Sequence, residues 1–454
     1  MELELFTTFG NSWQDKFHQT VVFRQDPGIE NQAVNLYPDI TYRTLEGFGG
    51  AITDSAAYVY SLMGGAQKKE LMQSYFTQEG MNYGLVRIHL DSCDFSLEQY
   101  EAMSDPADSG LESFSFSRTE KYILPMLRDA QEASGKPLEL MLSPWSPPAF
   151  MKTNHQRAQG GGLKPEYRQL WAEYLCRYIQ EFQNRGFKVR RISLQNEPRA
   201  VQTWDSCLFT AQEQREFLVR FMRPAMLRHG LEDIEIFLWD HNKERAYEWM
   251  QDILDEETAP MVAGLAFHWY SGDHFEALDL LRQRYPDKQL IVSESCIEFS
   301  KFAGESETLN ALRLSHEIIG DLNHGMTAFY DWNLLLDEKG GPNYVENYCL
   351  APYLYDTSRK KLMPQLLQKH IAHFSHYLLP GSVQIGYSRY TEQIDVTAWK
   401  RPDARIAVVL LNKSEQIMPV CLRMEGLVAE CLLCPQSITT GIFRDRASTG
   451  GKNR

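Results

Sequence analysis

Extended runs and helical patterns alternate from about Glu46 to Asn333, and this alternation is the feature that most restricts the fold. Pro165 opens one helical segment and Gly186 follows it, the order that helix starts and stops favour. Strands joined by helices pair in parallel, and eight such units close into a barrel. We therefore expect the α/β class, with a (β/α)8 TIM barrel. Its eight strands are predicted to begin near Gly47, Leu85, Leu138, Val189, Ile234, Val262, Leu290 and Met326.

The two ends of the chain have a different pattern. After about His376, short strands are separated by turn signals with no helical period, which predicts an antiparallel β-sandwich. The first residues also alternate as strands do, so we expect them to join this sandwich. The predicted domains are N-terminal sandwich strands at 1–40, a catalytic barrel at 41–375, a C-terminal β-sandwich at 376–446 and a tail at 447–454.

The charge balance disfavours some partners. Lys and Arg number 46 against 60 Asp and Glu, and the formal net charge of −14 argues against nucleic acid and anionic membranes. No run approaches the roughly 20 apolar residues of a membrane span, so we expect no integral membrane association. The N-terminal residues lack a secretory pattern, which predicts a cytoplasmic protein with reduced cysteines. Cys431 and Cys434 form a single CxxC pair, which we interpret as strand cysteines, not a metal site.

Two glutamates lie at predicted strand ends. Glu197 closes Arg-Ile-Ser-Leu-Gln-Asn-Glu-Pro at the fourth strand, and Glu294 closes Leu-Ile-Val-Ser-Glu-Ser at the seventh. In a barrel both carboxyl groups emerge at one rim, where such folds carry their chemistry. A facing pair of carboxyls is what glycoside hydrolysis requires, and a separation of about 5–5.5 Å corresponds to retention of configuration. We therefore expect this pair to be catalytic.

Residues near the two glutamates suit sugar binding. Asn196 is placed to hydrogen-bond a sugar 2-hydroxyl, with a satisfied turn residue as the alternative. Arg87, inside the second strand, is an inward cation that would favour the ionised form of Glu294, with a structural ion pair as the alternative. Aromatic rings at or just past strand ends offer a flat platform for a sugar. They are Trp145, Trp204, Trp239, Trp269, Tyr270 and Trp332.

A series of short motifs makes this interpretation specific. In order, they are Gly47-Phe48-Gly49-Gly50-Ala51-Ile52-Thr53-Asp54, Ser92-Cys93-Asp94-Phe95-Ser96, Ser143-Pro144-Trp145-Ser146-Pro147-Pro148, Asn196-Glu197-Pro198, His268-Trp269-Tyr270, Ser293-Glu294 and Asp331-Trp332-Asn333. Together they resemble glycoside hydrolase family 30, most of all its glucosylceramidase branch, over nearly the whole chain. The resemblance implies a TIM barrel with a side β-sandwich built from both chain ends, and a retaining double displacement without a cofactor.

The resemblance also implies roles for individual positions. Glu197 matches the acid/base of the family, and Glu294 matches its nucleophile. The other implied positions are Asp94 and Trp145 for hydroxyls on the far side of a glucose-like ring, Asn196 for the 2-hydroxyl, Tyr270 for the nucleophile, Trp332 for the floor of the subsite and Asn343 for the last rim loop. The expected substrate-binding set is completed by His268, Arg87 and Trp204.

These observations predict a retaining β-glycosidase that cleaves terminal β-linked glucose-type residues from small glycosides. The chain shows neither the signal peptide nor the N-terminal disulfide cluster of the animal lysosomal members, which favours small imported glycosides over ceramide or polysaccharide. Within the same family, β-xylosidase, β-fucosidase, β-quinovosidase and β-1,6-glucanase activities stay open, as does homo-oligomer formation.

Two other functional classes stay open beside this one. A metal-dependent hydrolase would use His89, Asp91, His268 and Glu294, but these residues lack a compact ligand spacing, so we expect no metal. A sugar-binding protein without turnover is disfavoured because both carboxylates are present. For the enzyme, we expect Glu294 to be ionised and Glu197 protonated at rest, because the charge of the nucleophile should raise the pKa of the acid.

Overall fold

A computed structural model describes residues 1–10 and 16–444. The predicted tail at 447–454 lies outside the described residues. The strands are β1 (Glu2–Phe9), β2 (Lys16–Val22), β3 (Arg24–Gln25), β4 (Ala33–Thr44), β5 (Gly47–Ala51), β6 (Leu85–Leu90), β7 (Glu139–Pro144), β8 (Lys188–Ser193), β9 (Glu235–Asn242), β10 (Gly264–His268), β11 (Gln289–Glu294), β12 (Ile297–Glu298), β13 (Met326–Asn333), β14 (Leu335–Asp337), β15 (Cys349–Leu350), β16 (Tyr353–Asp356), β17 (Lys361–Pro364), β18 (Val383–Ser388), β19 (Ile394–Lys400), β20 (Arg405–Asn412), β21 (Met418–Met424), β22 (Leu427–Leu433) and β23 (Ser437–Arg444). The α-helices are α1 (Asp54–Ser61), α2 (Gly65–Phe76), α3 (Ser117–Lys121), α4 (Ile123–Ser134), α5 (Arg168–Asn184), α6 (Ala211–Phe217), α7 (Arg223–Arg228), α8 (Ala246–Ile253), α9 (Phe275–Arg284), α10 (Phe299–Phe302), α11 (Glu307–Asn323) and α12 (Leu366–Ser375).

Eight parallel strands close into a barrel, which confirms the predicted fold class. Around the barrel the order is β5, β6, β7, β8, β9, β10, β11 and β13. Every residue of β6 is buried, since one face meets the barrel interior and the other meets the surrounding helices. Arg87 and His89 alternate with the apolar residues of this strand, so both point into the barrel. A charged side chain in the interior requires partners, and these lie at the rim described below.

The predicted β-sandwich is also present, and it contains strands from both chain ends. One ten-stranded sheet runs in the order β2, β1, β23, β20, β19, β18, β4, β21, β22 and β3. Its pairings are antiparallel except for β4 with β21, which is parallel. Alternate apolar residues, among them Val34, Val396 and Val408, fill a core separate from that of the barrel.

Two small sheets lie in the loops that follow barrel strands. β12 pairs with β15, and β14 pairs with β16, which pairs with β17. They give the segments after β11 and β13 strand pairings of their own. None of the helices within residues 1–10 and 16–444 combines the length and the apolar character that crossing a membrane requires. All eight cysteines are free thiols, and Cys431 is buried in the sandwich core, as the strand interpretation predicts.

Candidate active site

The two glutamates lie at the carboxyl-terminal rim of the barrel. Glu197 follows β8, and Glu294 is the last residue of β11. The backbone of Glu197 has a φ of 47°, and its N–H donates to the carbonyl of Asp240 at 2.9 Å. A positive φ is costly for a residue other than glycine, and such residues concentrate at functional sites. The contact to β9 therefore fixes the direction in which Glu197 leaves the rim.

Arg87 connects both strand ends in one hydrogen-bonded network. Its side chain is fully buried, and Nη1 donates to Oε2 of Glu294 at 2.6 Å. Nη2 donates to Oδ1 of Asn196 at 2.8 Å and to Oδ2 of Asp240 at 3.0 Å. Because Asn196 directly precedes Glu197, one cation reaches both glutamate-bearing segments. Arg87 therefore has both of the predicted roles: it is a cation that points into the barrel, and it forms structural ion pairs there.

Two indoles cover the Arg87 guanidinium. The rings of Trp145 and Trp332 stack with centroids 5.4 Å apart, and Cζ of Arg87 lies 4.8 Å and 5.5 Å from their centres. These distances are in the range of cation–π attraction. Trp239 packs against Trp249 with ring centroids 5.0 Å apart and, like Trp145 and Trp332, is almost completely buried.

The carboxylate of Glu294 is held at both oxygens. Oε2 accepts from Arg87, and Oε1 accepts from the hydroxyl of Tyr270 at 2.9 Å. The same hydroxyl lies 3.5 Å from Sγ of Cys296, on the segment after β11. Two donors, one from β6 and one from the loop after β10, leave the carboxylate little freedom to rotate. This orientation is what in-line attack by a carboxylate oxygen needs.

Glu197 contacts two histidines. Its Oε1 lies 3.3 Å from Nδ1 of His268 and 3.6 Å from Nδ1 of His241. The other ring nitrogen of His268, Nε2, lies 3.2 Å from Oδ1 of Asp240. Gln202 donates to the second oxygen of Glu197 at 3.4 Å. The acid/base candidate is therefore coupled through an imidazole to the Arg87 network.

The pKa of Glu197 is lowered, whereas the sequence predicts that it is raised. Burial raises the pKa of this carboxyl, but the imidazoles of His241 and His268 outweigh burial and hold it below the ordinary range. Burial lowers the pKa of His268, yet the charge of Glu294 and the contacts with Asp240 and Glu197 raise it to about 9. The expected elevation fails because Arg87 neutralises Glu294 and the histidines face Glu197 directly. One proton near neutral pH is thus shared by Glu197 and His268, mainly on the imidazole.

Asp94 lies on the rim loop after β6 and is buried. Its Oδ2 accepts from Nδ2 of Asn347 at 3.1 Å. Burial raises the pKa of Asp94 well above its ordinary value, and the charges of Glu294 and Glu197 raise it further, so Asp94 lies near both glutamates. Asn343 folds its own loop, because its Oδ1 accepts from the N–H of Asn347 at 3.0 Å. Asn343 thereby places the residue that contacts Asp94.

The loop after Glu197 is tied to other rim loops. Trp204 lies in this loop, partly buried against the barrel core. Its neighbour Asp205 accepts from Nε of Arg157 at 2.7 Å and from the hydroxyl of Tyr344 at 2.7 Å. Arg157 belongs to the loop after β7 and Tyr344 to the loop after β13. One buried carboxylate therefore fixes three loops around the site.

The metal-ligand set considered from the sequence is not assembled. Nε2 of His89 accepts from the N–H of Asp54 at 2.9 Å, and its Nδ1 lies 2.5 Å from the carbonyl of Asp91. The carboxylate of Asp91 accepts from two tyrosines and pairs with an arginine. Among the described residues, the side chains with clustered donor atoms are Glu197, His241 and His268, whose atoms all lie within 4.8 Å of one another.

Several residues of the site were absent from the sequence prediction. Asp240 links Arg87 to His268, His241 faces Glu197, and Asn347 contacts Asp94. The signal for Asp240 was available, because it follows a predicted strand just as the two glutamates do. Asn347 had no comparable signal, since its loop has no period.

Comparison with known proteins agrees with this geometry. Residues 45–378 match the model of the glycosyl hydrolase family 30 TIM-barrel domain, and residues 381–441 match the beta sandwich domain of the same family. A lysosomal acid glucosylceramidase of Mus musculus is 31% identical over 407 residues, which cover 86% of this chain and 79% of the relative. An endo-1,6-beta-D-glucanase of Neurospora crassa is 26% identical over 261 residues, 56% of this chain and 53% of the relative.

Solved structures show the same similarity. SrfJ from Salmonella typhimurium superposes with a TM-score of 0.95 at 34% identity, and the match covers 98% of this chain and all of SrfJ (100%). An endo-beta1,6-glucanase superposes with a TM-score of 0.87 at 26% identity, covering 98% of this chain and 100% of the glucanase. Both the barrel and the sandwich are therefore shared with these proteins.

Proposed function

The chain belongs to glycosyl hydrolase family 30, and we propose that it is a retaining β-glycosidase that removes terminal glucose-type residues from small β-glycosides. The observation that carries this proposal is the pairing of Glu294, whose two oxygens are held by Arg87 and Tyr270, with Glu197, whose Oε1 lies 3.3 Å from Nδ1 of His268. One carboxylate is prepared for attack and the other for proton transfer. Those are the two roles that retention requires.

In the first step, an oxygen of Glu294 attacks the anomeric carbon and the bond to the leaving oxygen breaks. Glu197 takes the proton from Nδ1 of His268, 3.3 Å away, and passes it to the leaving oxygen. The product is a glycosyl ester on Glu294, an ionised Glu197 and a neutral imidazole. Because the ester has no charge, the electrostatic support for the imidazolium falls as its proton is used.

In the second step, Glu197 removes a proton from water, and the water oxygen attacks the anomeric carbon. The ester bond breaks, Glu294 recovers its charge, and the proton returns to the pair of Glu197 and His268. Each carboxyl therefore ends in its initial state. The sugar leaves with its original configuration.

The choice of a glucose-type sugar rests on Asp94 and Trp145. Asp94 lies near both glutamates, and Trp145 covers the arginine that orients Glu294. A side chain with a raised pKa can both donate to and accept from a sugar hydroxyl. A glucosylceramidase and an endo-1,6-beta-glucanase among the relatives both carry glucose in their names. A β-1,6-glucanase activity is therefore the second candidate.

The acid/base role of Glu197 is tested by chemical rescue. Glu197→Ala should lose activity on a substrate with a poor leaving group, and azide should restore turnover of an activated aryl β-glucoside with formation of the β-glycosyl azide. Formation of the α-azide, or no rescue, would contradict the acid/base role. A substitution at exposed His18, on the sandwich edge, serves as the control for general effects of mutation.

The sugar is tested with aryl β-glycosides that differ only in the glycone. We expect the glucoside to have the highest kcat/KM, above the xyloside, fucoside and quinovoside. A β-1,6-linked glucan assayed in parallel separates the second candidate. A preference for the xyloside would refute the glucose assignment, and faster release of oligosaccharides from the glucan than of the aryl alcohol would favour the glucanase.

A further inference from the structure

Three donor atoms meet at one oxygen of Glu197. Nδ1 of His268 and Nδ1 of His241 lie 3.3 Å and 3.6 Å from Oε1, and all three atoms lie within 4.8 Å of one another. In a tetrahedral zinc site, metal–ligand bonds of about 2.0–2.2 Å separate neighbouring donor atoms by about 3.4 Å. The distances from Oε1 to the two Nδ1 atoms therefore match those of a metal site without any movement of the side chains.

The second ring nitrogen of His268 has the partner that metal-binding histidines have. Nε2 lies 3.2 Å from Oδ1 of Asp240, whose other oxygen accepts from Arg87. A histidine that binds metal through one nitrogen donates through the other to a carboxylate or carbonyl, which fixes its tautomer. A metal ion bound at Nδ1 would take the place of the proton that this nitrogen holds toward Glu197, while Nε2–H still donates to Asp240.

His241 supplies a second and independent indication of a ligand. Its Nδ1 is buried, and within the described part of the chain it has no hydrogen-bond partner, since 3.6 Å to Glu197 is beyond hydrogen-bond distance. A buried polar atom without a partner is costly, and a metal ion would supply the missing interaction. The local charge also suits a cation, because Arg87 is already paired with the carboxylates of Asp240 and Glu294, and Glu197 adds a third carboxylate.

We propose that Glu197, His241 and His268 form an inhibitory site for a divalent transition metal such as Zn²⁺ or Cu²⁺. Oε1 and the two Nδ1 atoms supply three ligands, and the fourth position faces the cleft. Imidazole and carboxylate ligands of this type select zinc and copper over magnesium and calcium. Occupation removes the oxygen that transfers the proton, so metal and substrate exclude each other. The inhibitory consequence rests on the proposed function, whereas binding of the ion does not.

Binding is tested without an activity measurement. Co²⁺ titrated into the full chain should give the visible absorption of a tetrahedral site at one equivalent, and Zn²⁺ should displace it. His241→Asn should weaken Co²⁺ binding at least tenfold, and His18→Asn, a histidine on the exposed sandwich edge, should not change it. Glu197→Gln provides a second variant and should give a comparable loss. Equal binding by wild type and both site variants, or no tetrahedral signal, would overturn the proposal.

The consequence is tested by inhibition of aryl β-glucoside hydrolysis. Zn²⁺ should inhibit the wild type, and excess chelator should restore its activity. With each activity expressed relative to that of the same protein without metal, the Zn²⁺ concentration that inhibits His241→Asn should be at least tenfold higher than the one that inhibits the wild type. Equal inhibition of both proteins would place the ion elsewhere and refute the inference. Failure of the chelated enzyme on every aryl glycoside would refute the proposed function instead, and the Co²⁺ titration would still decide the site.

Discussion

Replacing His268 with asparagine tests the shared proton. His268→Asn leaves a neutral amide near Oε1 of Glu197 but removes the imidazolium. Raising the pKa of His268 from its ordinary value of 6.5 to about 9 corresponds to about 3 kcal/mol of extra stabilisation of its charged form. In the wild type the pair loses its proton as the pH passes about 9. In the variant the proton is left to Glu197 and to His241, the other imidazole beside the same oxygen, and the ordinary pKa of a glutamic acid is about 4.3.

The assay is the pH dependence of kcat/KM for an aryl β-glucoside, which reports the ionisations of the free enzyme. We expect the alkaline limb of the wild type near pH 9 and that of His268→Asn at least about 2 units lower. His229→Asn is the matched control, because it also removes a contact between a histidine and a carboxylate. This contact, between His229 and Glu173, lies on the outer helices. Coincident alkaline limbs for wild type and His268→Asn would refute the shared proton.

The raised pKa of His268 also makes the free energy of unfolding depend on pH. A pKa that is higher in the folded state contributes stability in full below the unfolded value, and this contribution is lost as the pH rises through the folded value. The wild type should therefore lose about 3 kcal/mol of unfolding free energy between about pH 6.5 and pH 9, and His268→Asn should not. Denaturant unfolding at both pH values measures the difference, and an equal loss in both proteins would contradict the assignment.

Three further predictions concern Arg87, Asp331 and metal removal. Arg87→Met should lower the unfolding free energy by about 3–5 kcal/mol in denaturant titrations, because it leaves buried carboxylates without their cation; a loss below about 1 kcal/mol would argue against a buried ion network. Asp331 is buried, and burial raises its pKa well above 3.8. Because burial disfavours the ionised carboxyl, Asp331→Asn should raise the unfolding free energy more at pH 7 than at pH 3, where the unfolded carboxyl is also protonated; an equal change at both pH values would contradict this. Prolonged treatment with chelator should leave aryl β-glucosidase activity intact, and a loss restored by added metal would contradict the metal-free mechanism.

The barrel and its two glutamates could be predicted because they follow simple periods. The eight strands are short apolar runs separated by helices, and the strand-end position alone places Glu197 and Glu294 at one rim. Arg87 could be predicted as well, because alternation along β6 assigns it to the barrel interior. These inferences use local pattern and parallel topology only.

The surroundings of Glu197 could not be predicted in the same way. The backbone at Trp239 and Asp240 has positive φ values of 73° and 53°, and the pairing of β9 with β10 shifts register at this point. Such an irregularity breaks the alternation that tells which side chains face inward. The alternation of side chains therefore does not predict the contact between His241 and Glu197. The direction of the pKa shift of Glu197 depends on that contact.

The loop after β13 shows a second limit. Asn343 was expected at the site from the resemblance alone, but its side chain oxygen accepts backbone N–H groups of its own loop, at Val345 and Asn347. Asparagine commonly folds turns in this way. The residue that such a turn presents to the site depends on the loop conformation, which no periodicity in the sequence encodes.

The central claim is that Glu294 forms the covalent intermediate, and its most direct test is labelling by a 2-fluoro glucoside with a good leaving group. The fluorine slows both steps, and the good leaving group lets the first proceed, so the glycosyl-enzyme accumulates. Mass spectrometry of the digested protein should find one sugar per chain, on the peptide that contains Glu294. A label on another residue, or inactivation without any covalent sugar, would contradict the account.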